Sequence, residues 1–157
     1  LIGLPGSGKT TVGRLAAERL GLPFSDCDTL IETETGLRIP AIFAQQGEGG
    51  FRAVESRILA ALCREDTRVI ATGGGVVESA ENRRRLRESG VVVLLDRDIR
   101  QIAGCVGNRE RPLLKQYTLE QLARRRRDWY LDCADAAISS GTAEQLAAQA
   151  AEIWRNT

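Results

Sequence analysis

The residues whose spacing carries the most chemistry stand at the beginning of the chain. Gly3-Leu4-Pro5-Gly6-Ser7-Gly8-Lys9-Thr10 fits G-x-x-x-x-G-K-[ST] at every defined position. Gly3, Gly6 and Gly8 let the backbone curl so that successive N–H groups point at phosphate oxygens. Lys9 can reach the outer phosphates, and the Thr10 hydroxyl can ligate Mg²⁺. The helix expected next aims its positive end at the same anion. A plain glycine-rich loop would not account for Lys-Thr at this spacing followed by a helix.

Four further groups have chemical potential. Asp26 and Asp28, read as one extended segment, would point the same way. Two acids at a strand's C-terminal end can hold Mg²⁺ and orient a hydroxyl, although Asp28 could instead support the start of a helix. Arg52 and Glu55 stand three apart on a predicted helix, either as an ion pair or as the lining of a cleft. Gly73-Gly74-Gly75 follows an apolar run and permits close approach by a ligand, or makes a loose turn. Arg126 shares the apolar stripe of Leu119 and Leu122, where an unpaired cation is costly. It should meet an anion there, supplied by a protein acid or by a substrate.

These residues need elements to hold them. Leu1-Ile2 reads as the end of a strand that is nearly all missing, so upstream residues are expected. Val12, Leu15, Ala16 and Leu20 recur at helical spacing up to the Gly21 and Pro23 stop. Residues 23–26 read as a short strand, and Thr29 with Glu32 has the spacing of a capping box. One helix from Pro40 stops near Gly47, and a longer one carries Phe51, Val54, Ile58, Leu59 and Leu62. Residues 69–72 and 91–95 read as buried strands, the second covered on both faces. Residues 78–90 and 98–106 read as helices. The Gly- and Pro-marked stretch after Val106 has the character of a lid, about 107–118. Thr118 with Gln121 can cap the next helix. Residues 136–139 suit a last strand, and a helix from Thr142 turns Leu146, Ala150, Ile153 and Trp154 inward. Strands alternating with helices imply a parallel sheet covered on both faces, which binds ligands along its C-terminal strand ends.

The 157 residues suit a single domain, with 43% hydrophobic and 27% charged residues. A net charge of +1 gives no pull toward nucleic acid or membrane. Cys27, Cys63, Cys105 and Cys133 lie far apart in a chain without histidine, so a zinc site is not expected and reduced, mostly buried thiols are. Without histidine, acid–base work falls to carboxylates, lysine or water.

Taken in order, the motifs resemble those of the shikimate kinase family from Gly3 to Asp135. The phosphate loop comes first, then D-x-D with I-E (Asp26, Asp28, Ile31, Glu32). G-E-x-x-F-R-x-x-E follows at Gly47 through Glu55, then the triple glycine. R-P-L-L stands at Arg111 to Leu114, and R-x-x-x-Y with a later A-D at Arg126, Tyr130, Ala134 and Asp135. Each is weak alone, and all in order are specific.

The resemblance implies a P-loop α/β fold of the nucleoside-monophosphate-kinase type, with a five-stranded parallel sheet, flanking helices and a short lid. It implies transfer of the ATP γ-phosphoryl group to the 3-hydroxyl of shikimate, with Mg²⁺. Carried over by position, Gly3, Pro5, Gly6, Ser7, Gly8, Lys9, Thr10 and Thr11 bind ATP, and Arg111 reaches the transferring group from the lid. Thr10 and Asp26 serve the metal. Asp28 binds the reacting hydroxyl and is the candidate base. Arg52 and Arg126 hold the substrate carboxylate beside Gly73, Gly74 and Gly75. The expected setting is a cytoplasmic monomer with neither nucleic acid nor membrane as partner. Gly104 stands where the family often has an adenine-stacking arginine, and the Arg111–Arg126 segment is short, which bears on the nucleotide and lid side. Two alternatives are another small-molecule kinase of this fold, such as one for gluconate, and a kinase-like ligand sensor within a larger protein. Phe51-Arg52 and R-P-L-L argue against the first. Lys9, Thr10, Asp26, Asp28 and Arg111 together argue against the second.

Overall fold

A computed structural model describes residues 1–105 and 112–157. Four short strands carry the sheet: β1 (Phe24–Asp26), β2 (Val69–Ala71), β3 (Val93–Leu95) and β4 (Ala136–Ile138). β1 pairs with β2 in parallel, Phe24 opposite Val69, and β3 pairs with β4 in parallel, Val93 opposite Ala136. Leu1 and Ile2 lie between these pairs. The Leu1 nitrogen donates to the Ile70 carbonyl at 2.6 Å, and Thr72 N–H donates to the Leu1 carbonyl at 3.2 Å. On the other side Ile2 N–H donates to Val93 O at 3.0 Å and Leu95 N–H donates to Ile2 O at 2.9 Å. The parallel direction is thus continuous from β1 across Leu1-Ile2 to β4.

Seven helices connect and cover the strands among the described residues: α1 (Lys9–Leu20), α2 (Cys27–Thr35), α3 (Ile39–Leu62), α4 (Ala80–Ser89), α5 (Ile99–Cys105), α6 (Leu119–Cys133) and α7 (Ala143–Arg155). Strand alternation divides the core in two. Val93 and Leu95 join Ile138, Val12, Ala16, Leu146 and Ala150 on the α1/α7 side. Ile2 and Leu94 join Ile31, Leu59, Val77, Ile102 and Leu122 on the other. None of the described helices is long and apolar enough to cross a membrane.

Several boundaries depart from the sequence reading, each for a local reason. The helix expected at Thr29 begins at Cys27, because the Asp26 carboxylate accepts from the Thr29 N–H at 3.1 Å and caps it. Asp28 is therefore in the first helical turn, and strand alternation with Asp26 does not apply. The two helices expected around Gly47 are both present, joined end to end within α3 across a break at Gly47, where φ is +70° and the backbone is not helical. The helix expected from Glu78 begins at Ala80, capped by the Ser79 hydroxyl, after a 3₁₀ turn over Val76–Glu78. Trp154 is 41% exposed, because the inward stripe of α7 is filled by Leu146, Ala147, Ala150 and Ala151. Thr118/Gln121 and Thr142/Gln145 form full capping boxes at the starts of α6 and α7. Of the expected lid, Pro112–Lys115 is a 3₁₀ turn packed near α3, and residues 107–111, Arg111 among them, lie outside the described residues.

Candidate active site

The loop of residues 3–8 leaves the end of Leu1-Ile2 and feeds directly into α1. Gly8 sits at the helix N-terminus with φ +95°, a left-handed conformation that glycine adopts without side-chain strain. The Lys9 side chain folds back over the loop. Its ammonium donates to the carbonyls of Gly3 and Leu4, both at 2.9 Å, and it is 8% exposed. Ser7 is buried and Thr11 is exposed on the first turn. A Cβ on Gly3 would stand 2.7 Å from the Leu95 carbonyl, so glycine lets the loop pass over the end of β3.

Thr10 and Asp26 meet. The Thr10 hydroxyl donates to Asp26 Oδ2 at 2.6 Å, while Oδ1 of the same carboxylate caps α2. One hydroxyl and one carboxylate, both hard oxygen donors at a phosphate loop, fit Mg²⁺, which usually keeps several waters and takes phosphate oxygens as further ligands. No cluster of three or more His, Cys, Asp or Glu groups suited to a metal occurs among the described residues, so an all-protein metal cage is not formed there.

The triple glycine lies at the centre of the site. A Cβ on Gly73 would collide with Glu55 Oε1 and come within 3.2 Å of Asp28 Oδ1. On Gly74 it would stand 2.8 Å from Pro5 Cδ, and on Gly75 it would overlap the Arg52 guanidinium. These three residues thus bring the phosphate loop, Asp28 and the Arg52–Glu55 pair together with no side chain between. The buried Tyr130 hydroxyl anchors the run by donating to the Gly74 carbonyl.

Beyond the glycines is a buried ionic cluster. Arg52 donates to Glu55 Oε2 at 2.6 Å and reaches Glu48 at 3.4 Å and Glu78 at 3.7 Å. Glu55 is 1% exposed, and burial raises its pKa against the opposing pull of Arg52. Burial works against the Arg52 charge, but Glu55 beside it, with Glu78 and Glu48, raises its pKa above the ordinary value. Arg126 is fully buried, as its place on the apolar stripe of α6 requires, and its Nε donates to Glu78 Oε1 at 2.9 Å. Of the two anions foreseen for Arg126, the structure supplies a protein acid. Glu78 was not singled out from the sequence. At the head of a polar helix it carries no local signal of burial, and only the packing of α6 and α3 against the 3₁₀ turn brings Arg125 and Arg126 from one and Arg52 from the other to it. Tyr130 likewise had no signal beyond its place in a motif.

A cavity of about 530 Å³ opens beside the loop at Leu4. Leu4, Arg97, Gln101, Arg127, Ser139 and Ser140 line it, at the C-terminal ends of β3 and β4. Gly104 lies within α5, which borders this side. Cys27 is buried between the two acids, and burial followed by Asp28 pushes its thiol pKa far up, which makes it an inert core group. Cys63 and Cys133 are also free thiols.

A phosphate loop at the C-terminal edge of a parallel sheet, across the triple glycine from a buried cluster with two arginines, fits a P-loop kinase fold, and the comparisons agree. A gluconokinase from Sinorhizobium meliloti superposes with a TM-score of 0.55 at 18% identity, covering 99% of this chain and 91% of that one, a likeness of fold alone. The shikimate kinase family model matches residues 5–155, so the chain belongs to the shikimate kinase family. The shikimate kinase of Symbiobacterium thermophilum is 46% identical over 145 residues, covering 88% of this chain and 83% of that protein. The structure of a shikimate kinase from Acinetobacter baumannii in complex with shikimate superposes with a TM-score of 0.93 at 37% identity, covering 99% of this chain and 90% of that one.

Proposed function

We propose that this chain transfers the γ-phosphoryl group of ATP to the 3-hydroxyl of shikimate, giving 3-phosphoshikimate and ADP. The observation that carries this reading is the buried Arg52–Glu55–Glu78–Arg126 cluster across the triple glycine from the phosphate loop, in a member of the shikimate kinase family. Two convergent guanidinium groups suit a small carboxylate, which each can grip with paired hydrogen bonds.

The loop amides and Lys9 would hold the ATP phosphates, with Lys9 exchanging loop carbonyls for phosphate oxygens. Pro5, Gly6, Ser7, Gly8 and Thr11 shape that cradle. Thr10 and Asp26 would hold Mg²⁺, which supplies neutralisation of phosphate charge when bound. Asp28 orients the hydroxyl and accepts its proton as the oxygen–phosphorus bond forms and the bond from the γ-phosphorus to the β-bridging oxygen breaks. A loose transition state asks for alignment and positive charge more than for a strong base. Arg111, from the lid, would add charge at the transferring group. We read Leu1-Ile2 as the central strand of five, from its bonds to both β2 and β3, and the chain as one domain working as a cytoplasmic monomer.

ADP release coupled to a spectrophotometric assay tests the reading. Turnover is expected to depend on shikimate and to be absent with gluconate. Folded protein that releases no ADP in response to shikimate refutes it.

A further inference from the structure

The two arginines assigned to the substrate carboxylate already have a resident anion. Glu78 Oε1 accepts from Arg126 Nε at 2.9 Å and lies 2.7 Å from Arg126 Nη2 and 3.7 Å from Arg52 Nη2. Glu78 Oε2 accepts from Arg125 Nη2 at 2.9 Å. The Glu78 side chain is 14% exposed and that of Arg126 1%. Arg126 is therefore held along its Nε edge. Its Nη2 is ion-paired to the same Glu78 oxygen and Tyr130 sits against the guanidinium, so the buried donors left without a hydrogen-bond partner are Arg126 Nη1 and Arg52 Nε. Buried donors left in this condition are costly, and an acceptor entering the pocket would relieve that cost.

Charge decides how strongly an anion is drawn in. Arg52, Arg125 and Arg126 face Glu48, Glu55 and Glu78, with ion-pair contacts from 2.6 to 3.7 Å. The cluster is balanced, so a ligand carboxylate meets oriented donors but little net attraction. It also enters beside the Glu78 carboxylate, a like charge at close range.

We propose that Glu78 sets the affinity of this pocket for a carboxylate ligand: it orients Arg126 through Nε and, as a resident anion, competes for the guanidinium edges the ligand needs. This rests on the reading of the pocket as a shikimate site. Glu78 acts through the arginines and is a positioning residue.

Glu78→Gln keeps the length of the side chain and an oxygen that can accept from Arg126 Nε, but removes the competing charge. Calorimetric binding and steady-state kinetics should show shikimate binding about three- to tenfold tighter, the range expected for deleting one like charge from a half-buried site. The effect should fall on the KM for shikimate far more than on that for ATP. The uncharged carboxamide analogue of shikimate should gain nothing. Unchanged or weaker shikimate binding by the folded variant overturns the proposal, as does an equal gain for the carboxamide. Should the variant fail to fold, the unmodified protein still decides. A balanced cluster predicts shikimate affinity almost flat with ionic strength, and a steep loss in salt overturns it. No shikimate binding by the unmodified protein would refute the proposed function and this inference with it. Binding without a gain in Glu78→Gln refutes this inference alone.

Discussion

Asp26 and Asp28 are two residues apart and have different work. Asp26 is spent on local structure: one oxygen caps α2, the other takes the Thr10 hydroxyl. Asp28 is exposed in the first turn of α2, where an acid suits the helix dipole, and its carboxylate also faces Gly73, while the cap itself comes from Asp26. Asp28→Asn is therefore expected to leave the fold intact and to lower turnover by a factor of about 10² to 10⁴, the range for removing a positioned proton acceptor. Circular dichroism together with the coupled assay checks this, and near-normal turnover would return Asp28 to a structural role. Arg126 makes the complementary point. A cation on an apolar stripe announced a buried anion, but not whether that anion belonged to the protein. Glu78, forty-eight positions away, answers it.

At the scale of elements, the glycine run after β2 works as a spacer rather than a loose turn. Each missing side chain corresponds to a different neighbour, so the substitutions should separate. Gly74→Ala presses on Pro5, and through it on the phosphate loop, and should raise the KM for ATP about tenfold. Gly75→Ala displaces the Arg52 guanidinium and should raise the KM for shikimate by a similar factor while sparing ATP. Kinetics with each substrate varied in turn will tell them apart, and identical effects on both constants would contradict the division of labour. The bend of α3 at Gly47 belongs to the same scale. It lets one half of the helix run toward Pro112–Lys115 while the other presents Arg52 and Glu55 to the site.

For the molecule as a whole, the site depends on a sheet sealed on both faces. α7 contributes nothing to the active site but fills one face: Leu146 is fully buried among Val12, Ala16 and Ile138. Leu146→Ala should lower stability by about 3 kcal/mol while the KM values of the folded enzyme stay put. Urea unfolding measures the first and kinetics well below the melting temperature the second. The sequence by itself determined the phosphate loop, the alternation of strands and helices, the cap at Thr118, the start of a helix at Thr142, and the inward place of Arg126. All of these are written in local spacing, in the 3.6-residue and two-residue periods, or in the side-chain chemistry of caps. It did not determine that Asp26 rather than Thr29 starts α2, since several residues there can cap and the backbone chooses among them. Nor did it reveal that Glu78 joins Arg52, Arg125 and Arg126, or that Pro5, Glu55 and Arg52 each abut one glycine of the run. Those contacts join segments distant in the chain and leave no period behind. Only the packing of α3, α6 and the phosphate loop around one edge of the sheet decides which charges share a low-dielectric space, and so what the pocket can hold.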